Sequence, residues 1–237
     1  MLQATFGTNF TQFDENIFMT LALFDLDNTL LSDDSDYRWG QFLAERQLID
    51  SEAHTKKNQA FYQQYADGTL DIHEFCAFSF EFLSTKTMEE LAVLHEDFMQ
   101  SQIQQSMSAK SKALIAQHKA MGHTLMVITA TNSFVTRPIV SAFGIENLIA
   151  TEPKIENGRY TTEIDGVPSF KEGKVTRLRA WLKENDETLY DSYFYSDSHN
   201  DLPLLELVTT PIAVDPDPKL SAIAKARNWD IISLIDD

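Results

Sequence analysis

Two carboxylates, Asp25 and Asp27, stand one residue apart where an apolar run ends in "LALFDLDNTLLSDDSDY". Burying a carboxylate is costly unless a partner compensates its charge, so a strand that runs into two of them needs a chemical reason. Two further apolar runs end in the same way. "HTLMVITA" reaches a hydroxyl at Thr129, and "SYFYSD" reaches Asp197, with Asp201 close behind. In an open parallel sheet the ligand crevice lies beyond the carboxyl ends of the strands, near a switch in strand order. Three reactive endings of this kind point to one site. Lys174, at the start of a predicted helix, can add a positive charge.

Such carboxylates repel one another without a cation. A site rich in Asp oxygens, with no His or Cys at the strand ends, suits Mg²⁺ and argues against zinc. With the charge balanced, Asp25 is an ionised nucleophile that can attack phosphorus and form an aspartyl-phosphate. The metal and Lys174 neutralise the transferring group. Asp27 can protonate the leaving alkoxide and then activate water.

The elements that must position these groups follow from the pattern. Residues 20–26, 123–130, 192–197, 211–214 and 230–235 read as short apolar strands. Residues 110–121, 174–185 and 220–227 read as helices, the first closed by Gly122. Apolar strands alternating with helices predict an α/β fold, a parallel sheet with helices on both faces. Residues 36–106 break the rhythm and read as helical almost throughout, with segments at 37–47, 51–66, 71–83 and 88–107. Asp71 and Glu74 have capping-box spacing, as do Thr87 and Glu90. The expected division is a core of residues 19–35 and 107–237 and an inserted helical cap of residues 36–106. Asn157-Gly158 predicts a type I′ hairpin projecting from the core. Residues 1–18 have no clean period; they read either as an upstream extension or as an arm packing its Phe residues on the core.

Composition narrows the partners. A net charge of −17 argues against a sequence-independent hold on phosphate backbones, so no nucleic-acid partner is expected. A single cysteine, Cys76, cannot close an internal disulfide, which leans towards a reducing compartment. No apolar run approaches the roughly 18 residues that signal a membrane span, and the start lacks the pattern of a signal peptide. A cytoplasmic protein acting on a small molecule is the expectation, with no membrane partner; oligomeric state is open.

The ordered motifs resemble those of the haloacid dehalogenase superfamily. "DLDNT" matches its DxDx[TV] signature, "VITAT" its second motif, "EGKV" its third-motif lysine and "YSDSHNDLPLL" its fourth, usually GDxxND. The helical insert between the first two motifs resembles the phosphoserine-phosphatase-like branch, and within it a bacterial group of small aminoalcohol phosphatases that includes histidinol-phosphate phosphatases. The resemblance implies a Rossmann-like core and a Mg²⁺-dependent phosphomonoesterase. Asp25 would be nucleophile and metal ligand. Asp27 would be general acid/base and a ligand through its backbone carbonyl. Asp197 would be the third ligand, with Asp201 supporting the metal's waters. Thr129, the Ala130 backbone, Lys174 and Asn200 would hold the phosphoryl group. Ser196 replaces the usual Gly of the fourth motif. Ala130-Thr131 replaces glycines usual in phosphoserine phosphatases, which tightens the space beside the phosphate.

Plainer readings compete at several positions. Lys171 competes with Lys174 for the same role. Asp201 also reads as the N-cap of a following helix. His199 reads as a solvent-side residue, and Cys76, in the Phe-rich run "FCAFSFEFL", as part of the insert's core.

The insert bears on substrate. Residues 36–106 carry twelve acidic and five basic side chains, and no Arg occurs between Arg46 and Arg137. A substrate carboxylate favours a bidentate Arg, so phosphoserine is the lesser alternative. Asp33, Asp34 and Asp36, just past the nucleophile, are candidates to meet a substrate cation; a solvated acidic surface is the plainer reading. Arg137 is a further specificity candidate. A phosphotransferase or mutase could use the same site, water access deciding. A non-catalytic phospho-ligand-binding protein would require loss of Asp25 or Asp27, and both are present. Haloacid dehalogenation has no use for an acid at Asp27 or for Mg²⁺.

Overall fold

A computed structural model describes residues 20–236 of the chain; the expectations for residues 1–18 fall outside them. The chain enters a strand, β1 (Leu21–Phe24), then runs through α1 (Ser35–Glu45), α2 (Ser51–Asp67), α3 (Ile72–Ser84) and α4 (Met88–Phe98). It continues with α5 (Ala109–Ala120), β2 (Thr124–Asn132), α6 (Ser133–Ala142) and β3 (Asn147–Thr151). A hairpin of β4 (Pro153–Glu156) and β5 (Arg159–Ile164) leads to α7 (Glu172–Glu184) and β6 (Tyr193–Ser196). The chain closes with α8 (Leu202–Leu205), β7 (Thr210–Val214), α9 (Pro218–Arg227) and β8 (Asp230–Ile232).

Six strands form one parallel sheet in the order β3-β2-β1-β6-β7-β8. Successive strands move outward on one side of β1 and then on the other, so the order switches between β1 and β6. The alternation of β1 explains its central place. Ala22 and Phe24 pack into one apolar cluster with α1, α5 and α6, while Leu21 and Leu23 pack into a second with Leu178 and Leu220 of α7 and α9. Both faces are therefore covered, as a parallel sheet requires.

The helices start where short polar side chains cap them. Asp50 accepts from Ala53 N–H, Asp71 from His73 and Glu74 N–H, and Thr87 with Glu90 forms a reciprocal capping box. Gly68 ends α2 at φ +79°, a left-handed conformation that favours glycine. The expected helix 88–107 is shorter: after Phe98 the backbone loosens into a wide turn over Met99–Ile103 and a tight one over Gln104–Ser106. Leu31 and Met107 pair as an isolated antiparallel bridge where the chain leaves and re-enters the sheet region.

Asn157 and Gly158, both at positive φ, make the two-residue turn between β4 and β5. The hairpin does not stand free as expected. Tyr160 packs edge-on against Phe134 of α6, with ring centroids 5.8 Å apart. The last strand is three residues long, ending before Ser233.

Candidate active site

The switch between β1 and β6 brings the sequence-predicted groups together. Asp25 directly follows β1, its N–H continuing the ladder to Tyr195 carbonyl at 2.9 Å. Past it the chain folds into a wide turn closed by Leu31 N–H on Leu26 carbonyl at 2.9 Å, with Asn28 at φ +55°. This turn carries Asp27 over the carboxyl end of β2. There Asp27 accepts Thr131 Oγ1 at 2.8 Å and Thr129 Oγ1 at 3.4 Å on Oδ2, and Ser35 N–H at 2.7 Å on Oδ1. Its carboxylate is fixed from both oxygens.

Lys174, buried at the start of α7, donates from Nζ to Asp25 Oδ1 and to Asp201 Oδ2, each at 2.8 Å. Burial alone would lower the Lys174 pKa, but the charges of Asp201 and Asp25 outweigh it and raise it. Lys171 does not take this place; its Nζ reaches Gly68 carbonyl at 2.6 Å. Asp201 is not an N-cap by its side chain. Besides Lys174 it accepts Ser196 Oγ at 2.7 Å. Ser196 thus does more than fill the place of the expected glycine. Asp197 is bracketed by Thr29, whose Oγ1 donates to Asp197 Oδ1 at 3.2 Å and accepts Asp197 N–H at 3.1 Å.

Charge crowding is evident in the proton equilibria. Burial raises the Asp25 pKa, Lys174 opposes this and Asp201 adds to it, leaving the group at about 7. Burial raises Asp27, against the hydrogen bonds from Ser35 and Thr131. Asp197 is pushed well above the usual carboxylate range by burial and by the charges of Asp25 and Asp201. Lys174 alone does not balance this set.

That imbalance is the test of whether the residues fit a divalent cation, and they do. The donors are hard carboxylate oxygens in excess of positive charge. Among the described residues no three Asp, Glu, His or Cys side chains converge ready-made on one point. The chemistry of the donors, several buried carboxylates against one ammonium, is what a hard divalent cation such as Mg²⁺ compensates.

Asp25, Asp27, Thr129, Ala130, Lys174 and Asp201 form the floor of a cavity. Asp34 and Asp36 line one side, and the roof is aromatic and aliphatic: Phe61, Tyr62, Tyr65, Leu70, Ile72, Phe75 and Phe170. Lys174 is the one basic residue among the lining residues. Asp36 Oδ1 accepts Ser79 Oγ at 2.7 Å and Asn132 Nδ2 at 3.3 Å, and burial lifts its pKa to about 6 despite the Ser79 bond, with the Asp27 charge adding to the rise. Burial, then the charges of Asp27 and Asp36, holds Asp34 well above the carboxylate range.

Four sequence candidates lie off this cavity's lining; one is Asp197, which faces a neighbouring groove with Asn28 and Asp217 while still feeling the charge of Asp25. Asp33 turns away from the cavity and pairs with Arg38, Nε to Oδ2 at 2.5 Å, because that guanidinium lies one helical turn on. Arg137 lies outside the cavity and mostly exposed, 3.8 Å from Glu152. Asn200 does not line the cavity; its Nδ2 donates to Tyr65 carbonyl at 3.2 Å. His199 is not a plain filler, since its Nδ1 meets Asp217 at 2.7 Å. Sequence reasoning missed Thr131 as a partner of Asp27, and the roof residues Phe61, Tyr65, Phe75 and Phe170. Thr131 was legible in principle, as a hydroxyl two places beyond Thr129 on an extending strand. The roof was not, because it depends on how α2 and α3 sit over the sheet.

Comparison with known proteins agrees with this architecture. Residues 22–206 match the family of haloacid dehalogenase-like hydrolases. The chain is 44% identical over 217 residues to a histidinol-phosphatase of Neisseria meningitidis serogroup C (strain 8013), covering 90% of this chain and 98% of that protein. It is 27% identical to a phosphoserine phosphatase of Mycobacterium tuberculosis, covering 89% of this chain and 69% of that one. Among solved structures, a protein of unknown function from Bordetella pertussis Tohama I superposes with a TM-score of 0.86 at 45% identity, over 92% of this chain and all of that one. A substrate-bound phosphoserine phosphatase shares the fold, with a TM-score of 0.67 at 18% identity over 92% of this chain and 94% of its own.

Proposed function

The chain belongs to the haloacid dehalogenase-like hydrolases and is a phosphoric monoester hydrolase of that family, and from that premise we propose that it hydrolyses a small aminoalcohol phosphate such as histidinol phosphate, through an aspartyl-phosphate on Asp25. The observation that carries the reading is the bond from Lys174 to Asp25 Oδ1 at the floor of the cavity; Oδ2 of the same carboxylate would be the attacking oxygen. Asp25 attacks in line, and the ester oxygen departs with a proton from Asp27. Burial favours the protonated form of Asp27, as a general acid needs. Thr129 and the Ala130 backbone line the floor where the phosphoryl oxygens would rest. Asp27, now a base, takes a proton from water, which attacks the aspartyl-phosphate and frees phosphate. Mg²⁺, held by Asp25, the Asp27 carbonyl and Asp197, would supply the positive charge that the transferring group and these carboxylates lack. Lys174 favours the ionised form of the nucleophile and orients it.

The alcohol part of the substrate would meet Asp36 under an aromatic roof, with Asp34, whose carboxyl pKa is held by burial well above the usual range, as a neighbouring polar group rather than a charge. A substrate ammonium or imidazolium would gain charge attraction and ring contact there. A substrate carboxylate would meet like charge with no arginine to receive it, which supports an aminoalcohol over phosphoserine. The 44% identity to the Neisseria protein, a histidinol-phosphatase by name, supports the same choice. The test is kcat/KM for histidinol phosphate and phosphoserine at equal Mg²⁺. Preference for phosphoserine would overturn the substrate assignment and leave the phosphatase assignment standing.

A further inference from the structure

The last turn of α2 is bound to the sheet side of the cleft at four points. Asn200 Nδ2 donates to the Tyr65 carbonyl at 3.2 Å, Lys219 Nζ to the Ala66 carbonyl at 2.8 Å and Lys171 Nζ to the Gly68 carbonyl at 2.6 Å. The Tyr65 hydroxyl donates to Ser198 Oγ at 2.9 Å. The Tyr65 carbonyl also accepts Gly68 N–H at 3.1 Å, whereas the Ala66 and Gly68 carbonyls stand at the negative pole of the helix end and are each met by an ammonium.

One of the four contacts differs from the rest. Lys171 sits at φ +48°, ψ −122°, a strained conformation for a residue with a side chain. Its turn is tightly specified. Ser169 N–H is tied to Thr151 Oγ1 at 3.0 Å, Gly173 N–H to the Phe170 carbonyl at 2.8 Å and Lys174 N–H to the Lys171 carbonyl at 3.1 Å. A Cβ on Gly173 would stand 2.0 Å from the Pro168 carbonyl oxygen. Within this turn Phe170 enters the cavity roof beside Tyr65, with ring centroids 6.1 Å apart, and Lys174 reaches Asp25. The side chain that grips α2 and the ammonium that orients the nucleophile are thus three residues apart on one rigid turn.

We propose that Lys171 is a positioning residue that couples the seating of α2 over the cleft to the placement of Lys174 against Asp25. The coupling rests on the phosphatase reading only for its kinetic consequence. Lys219 grips the same helix end from α9 and is not part of the Lys174 turn, so it separates docking from coupling.

The experiment compares Lys171→Met, Lys171→Arg and Lys219→Met with the wild type, using p-nitrophenyl phosphate and histidinol phosphate with Mg²⁺, and amide hydrogen exchange. Both Met variants raise exchange in the last turn of α2 and raise KM for histidinol phosphate. Lys171→Met alone raises exchange across residues 169–174 and lowers kcat on both substrates about tenfold, the scale of a small misplacement of a catalytic group. Lys171→Arg restores kcat to within about threefold, because it keeps the cation on the same carbonyl. If Lys171→Met fails to fold, Lys171→Gly replaces it, since glycine accepts those backbone angles. Equal kcat in the two Met variants, or unchanged exchange across residues 169–174, overturns the coupling. Absence of wild-type turnover on any phosphomonoester would instead count against the phosphatase reading, and the exchange result would still decide the coupling.

Discussion

Thr131 donates its hydroxyl to Asp27 at 2.8 Å, on the carboxylate oxygen that Thr129 approaches at 3.4 Å. Replacing Thr131 with Val keeps the shape and removes the donor. We expect kcat to fall roughly tenfold, within the range of general acid–base contributions, with KM little changed. Thr131→Ser should recover most of the loss. Steady-state kinetics of the two variants, with matched thermal denaturation, check this; equal activity in wild type and Thr131→Val would remove Thr131 from any role in orienting Asp27.

Asp25→Asn removes the attacking charge and nearly keeps the shape. Turnover should drop by several orders of magnitude, as expected when a covalent catalyst is lost. Stability should change little, because the charge attraction to Lys174 is lost, its hydrogen bond to Oδ1 is kept, and crowding against Asp201 and Asp27 is relieved. Near-normal turnover by a clean sample would refute the nucleophile assignment.

Chelation should abolish activity and added Mg²⁺ restore it. High Ca²⁺ should inhibit, because its larger and looser shell displaces Asp25 relative to phosphorus. Full turnover after exhaustive chelation would rule out a metal role for Asp197.

Asp36 predicts a pH dependence of stability. Its pKa rises from 3.8 to about 6 on folding, so the folded state holds its proton more tightly than the unfolded one. The stability it contributes is full below pH 3.8 and is lost as the pH rises through 6. The stability of Asp36→Asn relative to wild type should therefore increase between pH 4 and 7 by about 1–2 kcal/mol, allowing for the group's partial exposure. Chemical denaturation across that range measures it; a constant difference contradicts the raised pKa.

The same substitution tests substrate choice. One charge pair at ~4 Å and an effective dielectric of ~20 is worth about 4 kcal/mol before desolvation. A quarter of that gives roughly fivefold discrimination in kcat/KM. Asp36→Asn should narrow the gap between histidinol phosphate and phosphoserine, mainly through KM. An unchanged ratio would show that Asp36 does not sense the substrate's charge.

The strand endings were readable because burial on both faces leaves a plain apolar run, and a polar stop at its end stands out. Asp25, Thr129, Lys174 and Asp201 meet as their positions suggested. The strand Asn147–Thr151 and the helix Ser133–Ala142 escaped notice. The helix contains Pro138 and opens directly from a strand, so no loop announces it. Asp33, Asp34 and Asp36 are alike in sequence, and only the fold separates them. Asp34 caps α1 by accepting Tyr37 N–H and lines the cavity, whereas Arg38 draws Asp33 away. Asn200 was placed at the phosphate by the motif resemblance alone; its amide reaches a helix end that is remote in sequence, a contact no local pattern announces.

The bridge between Leu31 and Met107, with Ser32 N–H on the Ser106 carbonyl at 3.0 Å, brings the two crossings of the chain side by side. Everything between them enters and leaves through a single doorway. A segment attached in this way can be exchanged as a cassette, since a short link across the doorway closes the sheet region without rerouting any strand. An exchanged segment must still meet its anchors outside the doorway, since Lys171, Asn200 and Lys219 grip the end of α2 and Phe170 completes the roof; a grafted specificity would therefore have to carry a helix end that those three side chains can hold.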